Sequence, residues 1–581
     1  MIRAAIALLL IILSSPCPAE IHRYKFVKSV TFVGNRSIPS SELRDYLGIK
    51  KGDIYSEEKV RERLERIEEL YRERGFVFMR VLRVQPWTFD DEVILKIEID
   101  EGIIGRIEVV GNVRTRADVI KRELLFKEGD PYNEEDAEES ERILRSRSYL
   151  GDAEITARFD EGIDAVAVTV RVTDLWAIFP SISIPLSDGN SKLILALYDM
   201  NLLGLGQSVA LRYERRSGEE GVRYKIGGSF SDPRLFGTHW HLSASYFSQP
   251  IGNSWRLSLM RPLYSLKTKW STEMELMNLH VERAWYEDGR VGSRYDHSLS
   301  GWRFALTRST GTRRRYTRAS IWFAYREDKY SPIWIGGAEA PFRDQREGAL
   351  GLSLTRATSA FVQDRFIDKL GEVEDIELGD KYRVSLRRSD RLFGGDFDET
   401  RLSLVLSSAR RLREGRDYLR ARLVANARLK GTYLENPIIS AEAKYLARLP
   451  FGQTVALRAA YRYGIDPRRP AQILLGGNNG LRGYPRNGFS GDGVAVLNLE
   501  DRTVIFKSRY IVVGIVLFAD VGCIWREGSR EIYRSVGGGL RVGLPRLNGS
   551  PVYRFDLGYP LDGRFEPRLN RSISFGMGHV F

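Results

Sequence analysis

The sequence predicts a two-part chain: α+β repeats of β-α-α-β-β order, then an all-β antiparallel barrel that crosses a membrane. Three observations predict it. The stretch SVTFVGN at Ser29–Asn35 returns as RIEVVGN at Arg106–Asn112. From about Trp176 helical spacing of apolar residues gives way to alternation, sustained almost to the C-terminus. Past Ala19 no apolar run approaches the ~18 residues of a membrane-spanning helix, so any crossing falls to strands.

The chain opens MIRAAIALLLIILSSPCPAE. Arg3 is a short basic start, Ala4 to Leu13 an apolar core, and Cys17-Pro18-Ala19 a small-residue cleavage site. Residues 1–19 therefore read as a secretory signal peptide, too short to span. Pro16, just before Cys17, argues against a lipoprotein signal. Of the two cysteines only Cys523 survives cleavage, so no intrachain disulfide staples the exported chain. The net charge of +13 raises nucleic acid as a partner. The arginines, however, are spread singly along strands with no basic block, and an exported chain does not fit that partner.

The repeat holds without a gap for some twenty-five residues beyond the glycines Gly34 and Gly111. Gly52-Asp53-x-Tyr55 becomes Gly129-Asp130-x-Tyr132, and Leu47 becomes Leu124. Repetition of this length marks a duplicated structural unit. In the first unit Val30, Phe32 and Val33 form a strand. Ser40 or Ser41 is placed to cap a short helix carrying Leu43 and Leu47, stopped by Gly48. Ser56 caps a longer helix with Glu57 and Glu58 in its first turn, favourable to the dipole. Val60, Leu64, Ile67 and Tyr71 form its buried stripe and Gly75 ends it. Strands follow at Phe76–Val84 and Glu92–Ile99. The second unit repeats this with Asn133 as cap, a shorter second helix, and strands near Ala153–Phe159 and Ala165–Val172. A three-stranded sheet under two helices leaves an edge strand. Such an edge is either blunted or used to pair an incoming extended chain, and composition alone fits a spacer domain equally well.

In the second part, Leu419, Ala421, Leu423, Ala425, Ala427 and Leu429 share one face of a strand. Arg420, Arg422, Val424, Asn426, Arg428 and Lys430 share the other. A soluble sandwich also alternates. Here the polar face is charged, the strands are long, helices are absent for some four hundred residues, and aromatics recur near strand ends (Tyr213, Trp322, Phe323, Tyr461, Tyr463). Apolar residues facing lipid and charged residues facing a wet lumen satisfy all of this. The last strand places Ile573, Phe575, Met577, His579 and Phe581 on one face.

Chemistry-bearing motifs are missing. His239-Trp-His241 could present two imidazoles, but no third ligand lies near in sequence, so no metal is assigned. No phosphate loop, nucleophile elbow or zinc-protease signature occurs, so no cofactor and no enzymatic activity are assigned.

The sequence GGNNGLRGYPRNGFSGDGV, Gly476 to Val494, carries a lone Arg482 among glycines and aromatics. Several other stretches accompany it in order: Asp199-x-Asn201-Leu-Leu-Gly204, Phe230-Ser-Asp-Pro-Arg-Leu-Phe-Gly237, Leu497-Asn-Leu-Glu500 and Phe518-Ala-Asp520-Val-Gly522. With the two repeats, these motifs resemble the BamA/TamA-like POTRA-plus-barrel family of outer-membrane assembly proteins, a superfamily shared with two-partner secretion transporters. The resemblance implies POTRA domains over 24–102 and 103–175 in the periplasm, and over 176–581 an outer-membrane barrel of about 16 strands. It implies that Leu481, Arg482, Gly483 and Tyr484 form an inward-folded loop whose arginine docks on barrel-wall carboxylates, carried over to Glu500 and Asp520. A solitary guanidinium in a confined lumen needs such partners, and its planar fork suits two carboxylates.

The resemblance also implies the partners: unfolded outer-membrane or secreted protein substrates, periplasmic-facing accessory proteins and membrane lipid. Two units are fewer than assembly proteins of this family usually carry. Secretion transporters have two, but precede them with a plug helix. The first strand here begins near Lys25, leaving no room for that helix after cleavage. The expected function is assembly and insertion of outer-membrane proteins, with secretion of a dedicated partner as the alternative.

A seam is expected between the first strand, 176–186, and the last, 572–581. Pro180 and Pro185 lack backbone donors, and Gly576 and Gly578 weaken a strand, so with Phe581 at its end this ladder should be the weakest. The alternative is that the first strand begins only after Pro185.

Overall fold

The computed structural model describes residues 24–577 except 184–185, 188–189, 219–220, 288, 313, 338, 372, 432, 465–470, 478, 527, 548–551 and 563–572. The proposed signal segment 1–19, Pro185, Gly578 and Phe581 lie outside the described residues.

The first repeat runs β1 (Phe26–Val33), α1 (Ser40–Leu47), α2 (Glu57–Glu73), β2 (Arg80–Phe89) and β3 (Glu92–Asp100). Its sheet has the order β1-β3-β2, with β1 parallel and β2 antiparallel to the central strand. The stripe of α2 (Val60, Leu64, Ile67, Tyr71) is buried with Leu43 and Leu47 of α1 against Val93, Leu95 and Ile97. Each such side chain, fully buried, contributes about 1.5–3 kcal/mol. The Ser56 hydroxyl accepts the Lys59 amide at 3.4 Å, capping α2. Helix α1 differs from expectation. Its cap position is Pro39, which makes no side-chain bond, and Ser40 is already helical. The Ser40 hydroxyl instead accepts from Asn35 Nδ2 at 3.0 Å. The strand expected from Phe76 begins only at Arg80, because a turn closed by Met79 N–H on the Phe76 carbonyl follows the helix.

The second repeat runs β4 (Ile104–Val110), α3 (Ala117–Lys121), α4 (Glu134–Arg145), β5 (Leu150–Asp160) and β6 (Ala165–Asp174), with sheet order β4-β6-β5. The duplication extends to single hydrogen bonds. Asn35 Nδ2 donates to the Ile38 carbonyl and Asn112 Nδ2 to the Thr115 carbonyl, each at 2.8 Å. Asp53 accepts the Lys50 amide and Asp130 the Lys127 amide. Gly34 and Gly111 sit at φ +91° and +86°, and a Cβ on either would lie 2.0 Å or 2.3 Å from a central-strand carbonyl oxygen. Only glycine fits that contact, which is why the Gly-Asn pair recurs.

From Ile178 the chain forms one large antiparallel sheet whose strand order returns to its start, with Ile573–Met577 beside Ile178–Ser183. Among the described residues it holds 22 strand segments, against about 16 strands expected. Two passes are each broken into two segments, Ile178–Ser183 with Leu186–Ser187 and Gln345–Thr358 with Ala360–Asp364. Several successive strands have only two residues between them in the chain, as between Glu287 and Arg290 or Lys430 and Tyr433. Alternation reports which face a residue takes but not where one strand gives way to the next, so short separations let the same residues make more passes. Trp322 and Phe323 lie within the strand Arg315–Ile335, and Tyr213 within Gln207–Gly218, rather than at strand ends.

The two faces separate as the alternation predicts. In the strand Val512–Arg526, Ile515, Leu517 and Val521 are exposed, whereas Val516, Phe518 and Asp520 are buried. The inward face is tied by ion pairs such as Arg458–Glu442 at 2.8 Å, Arg401–Glu399 at 2.8 Å and Arg387–Glu347 at 3.1 Å.

Two of the sequence motifs seat the barrel's first turns on elements of the second repeat. Asp174 accepts the amides of Val113, Arg114 and Thr115 and the Thr115 hydroxyl. Asn201 Nδ2 donates to that same hydroxyl at 2.8 Å, and a Cβ on Gly204 would lie 2.3 Å from the Arg114 carbonyl oxygen. Arg234 of the Phe230–Gly237 motif is 3% exposed and donates to both oxygens of the buried Glu123, which also meets Arg147. His239 stacks on Tyr264 with ring centroids 3.5 Å apart, and His241 Nε2 lies 2.7 Å from the Ser231 hydroxyl.

Candidate functional site

The loop bearing Arg482 is built on its own two-stranded ladder, Ile473–Leu475 against Phe489–Gly491. Leu481 and Tyr484 are buried in an apolar cluster with Leu475, Val496, Ile524 and Tyr533. The Tyr484 hydroxyl lies 2.8 Å from the Arg534 carbonyl oxygen and against the Asp562 carboxylate. Gly483, at φ +86°, lets the backbone turn at the tip, and a Cβ on Gly558 would come 2.6 Å from the Gly483 amide nitrogen. The tip thus rests backbone to backbone on the barrel wall.

This contact delivers Arg482 into a closed set of charges. Its Nε and Nη2 donate to the two oxygens of Asp520 at 2.8 Å and 2.7 Å, and its amide reaches the same carboxylate at 3.1 Å. Nη1 donates to Glu500 at 2.6 Å and lies 3.9 Å from Asp556. The guanidinium carbon stands 3.5 Å from the centroid of the Phe518 ring, a cation–π contact on its remaining face. Asn498 Nδ2 bridges Asp520 and the Gly480 carbonyl, each at 2.7 Å, joining loop to wall. A second rank of cations balances the acids: Arg502 on Glu500 at 2.8 Å and Arg541 on Asp556 at 2.5 Å.

Arg482 is 2% exposed and Glu500 is fully buried, so the cluster is dry, not the wet environment expected of an open lumen. Burial of so many charges is tolerable only because nearly every one has an opposite partner. The arrangement offers no nucleophile or acid–base pair free to react. Its physical capacity is to lock a flexible loop in one position.

Two matches to known families fall on this architecture. Residues 26–102 and 103–174 match the POTRA family, described as a surface antigen variable number repeat, and residues 444–581 match the Omp85 superfamily domain. The chain carries two POTRA repeats and an Omp85 superfamily domain. The outer membrane protein assembly factor BamA of Neorickettsia risticii is 24% identical over 233 residues, 39% of this chain and 30% of the relative. BamA of Neisseria meningitidis is 26% identical over 224 residues, 36% of this chain and 27% of the relative. The matches therefore span less than a third of either relative's length. The solved structure of CdiB from Escherichia coli shares the fold with a TM-score of 0.50 at 16% identity, covering 97% of this chain and 91% of that one.

Sequence reasoning missed Asn498, Arg502, Phe518, Arg541, Asp556 and Gly558. Their signal is the two-residue period: Asn498, Glu500 and Arg502 share a face, as do Phe518 and Asp520, and Arg554, Asp556 and Gly558. The structure also places the proposed seam residues. Pro180 lies in Ile178–Ser183, opposite Leu197, so the first strand starts before the prolines and not after them. Gly576 pairs with Arg554, and a Cβ there would lie 2.8 Å from the Arg554 Nε.

Proposed function

We propose that this protein assembles outer-membrane proteins, capturing unfolded chains at its POTRA units in the periplasm and inserting them through the barrel seam. The observation that carries this reading is the meeting of the first and last strands, Ile178–Ser183 beside Ile573–Met577, with Pro180 in one and Gly576 in the other. A joint that lacks a backbone donor and carries a glycine is weakened, and on opening it leaves backbone groups able to pair with a new strand. The names of the curated relatives support the same reading, and with it an outer-membrane location and no catalytic role. Secretion of a dedicated partner is the second reading, favoured by the presence of two POTRA units.

Depletion of the protein followed by quantitation of the outer membrane tests the choice. Assembly requires many barrel proteins to fall together. Loss of one exported protein with the rest unchanged makes it a secretion transporter. Accessory lipoproteins facing the periplasm should co-purify at native expression if assembly is its role.

A further inference from the structure

The pass Gln345–Thr358 does not end at Thr358. It continues as Ala360–Asp364, turns through Arg365–Gly371, and returns as Glu374–Leu378, with Ala360 opposite Leu378 and Asp364 opposite Glu374. The turn is held from within. The Glu374 carboxylate accepts the amides of Ile367, Asp368 and Lys369 at 3.0, 2.9 and 3.2 Å.

The side chains that receive this hairpin are those of the barrel's inward face. Ile367 and Ile376 are buried with Tyr418, Leu446 and Ala456. These three alternate in phase with Arg420, Lys444 and Arg458, whose charges line the interior. Leu370 is buried with Val512 and Val552, which are in phase with Asp520 and Asp556 at the Arg482 site. A Cβ on Gly543 would lie 2.5 Å from the Leu370 Cβ, so the tip is seated without slack. Polar contacts fasten the same segment. The Asp364 carboxylate meets the Tyr418 hydroxyl and the Arg448 guanidinium, and Arg420 Nη1 donates to Asp368 at 2.7 Å.

The base of the hairpin is held from the other side. Arg145, at the end of α4, donates through Nε and Nη2 to the two oxygens of Asp375, both at 2.9 Å. Arg142 stands 4.7 Å over the Phe361 ring. The third nitrogen of Arg145, Nη1, donates to the Ala153 carbonyl at 2.8 Å. Ala153 is in the edge strand β5, and its amide bonds to the Asp152 side chain at 2.9 Å. In a strand the N–H and C=O of one residue point the same way. Both of these groups therefore face the open edge rather than the central strand.

We infer that the hairpin around Ile367 and Leu370 is a plug that crosses the barrel lumen, and that Arg145 is its trigger. A chain adding to β5 claims the Ala153 amide and carbonyl, competes with Arg145 there, and loosens its fork on Asp375. The plug stands on the contacts above alone; the trigger rests on the proposed function, in which chains pair with the repeat edge.

The test is conductance of the full chain in planar bilayers, with folding checked by the heat-dependent gel mobility of barrels. Leu370→Asp puts a charge into the apolar seat and should raise conductance several-fold. Ile367→Ser does so more mildly, in case the first variant fails to fold. Arg145→Ala should raise the frequency of openings roughly tenfold, the equilibrium worth of one charge-assisted bond. The exchange Arg145→Asp with Asp375→Arg should bring it back down. Folded Leu370→Asp or Ile367→Ser barrels that conduct like the parent overturn the plug. A plug that opens in those variants while Arg145→Ala leaves openings unchanged overturns the trigger and leaves assembly itself to the depletion experiment.

Discussion

Arg482 and Asp520 share three hydrogen bonds, two through the guanidinium and one through the backbone amide of the arginine. The side chain is thus held by the same carboxylate that fixes its backbone, and loop position and charge pairing become one interaction. Arg482→Ala removes the cation facing Glu500 and Asp520. Removing one member of a buried pair costs about 3–5 kcal/mol, and the dryness of the site puts the full range in play. Arg482→Lys keeps the charge but cannot span both carboxylates, so it should recover only part of the loss. Protease sensitivity of the Gly476–Gly493 loop in a folded barrel measures both. Protection equal to the parent in Arg482→Ala shows that the cluster does not hold the loop.

Gly558 provides a test that leaves every charge in place. Its missing side chain is what lets the wall touch Gly483. Gly558→Val puts a branched side chain where the loop tip rests, and should lift the tip and expose the same loop to protease. Val at Gly538, on the opposite face of the neighbouring strand, is the control that changes a glycine without meeting the loop. Equal behaviour of the two variants removes the backbone contact as a cause.

The fold and half of the site were legible in the sequence for a physical reason. Repeats, caps and alternation are local signals, and Arg482 stood out because a lone guanidinium among glycines needs partners. Glu500 and Asp520 came from resemblance, not from spacing. Asp556 and Gly558 were hidden because their meaning depends on register across three strands, from Asp520 beside Ser535 to Gly539 beside Asp556. No local pattern fixes register over that distance. The inward hairpin was hidden in the same way. Its residues alternate like any strand pair, and only the fold reveals that Ile367 and Leu370 face other strands' interior side chains.

The junction at Glu123 has a pH dependence with a definite sign. Burial pushes its carboxyl up, but Arg147 and Arg234 more than offset that and hold it below the ordinary 4.5. The stabilisation this group provides is therefore complete above about pH 4.5 and is lost as pH falls through the lower folded value. Hydrogen-exchange protection in the turn around Leu235–Gly237, taken relative to the intrinsic rate at each pH, should fall on acidification. In Glu123→Gln protection should be low already at neutral pH and respond little to further acid. An acid response in the variant as large as the parent's assigns it to another group.

The edge strand β5 gives a prediction at one residue. Ala157 is in phase with Ala153, whose amide and carbonyl face the open side, so its own N–H faces an incoming chain. Ala157→Pro removes that donor and should abolish complementation of a depleted strain while the barrel still assembles. Thr156→Pro points the loss at the central strand and should destabilise the repeat itself. Full complementation by Ala157→Pro means that chains do not pair at this edge.

The seam should behave as a gate. Pro180, opposite Leu197 in the first strand, has no amide hydrogen to give to either neighbour. Gly576, in the last strand, carries no side chain to hold the joint and is crowded by the Arg554 guanidinium. Both features weaken pairing at the one place where the chain's two ends meet in the sheet. Cysteine pairs scanned between Ser181–Ser183 and Ile573–Gly576, with Cys523 replaced, should crosslink on oxidation and leave the barrel folded. If strands enter through this joint, the oxidised form should fail to complement and reduction should restore it. A crosslinked barrel that works as well as the reduced one shows that the seam stays shut, and insertion would then need another route.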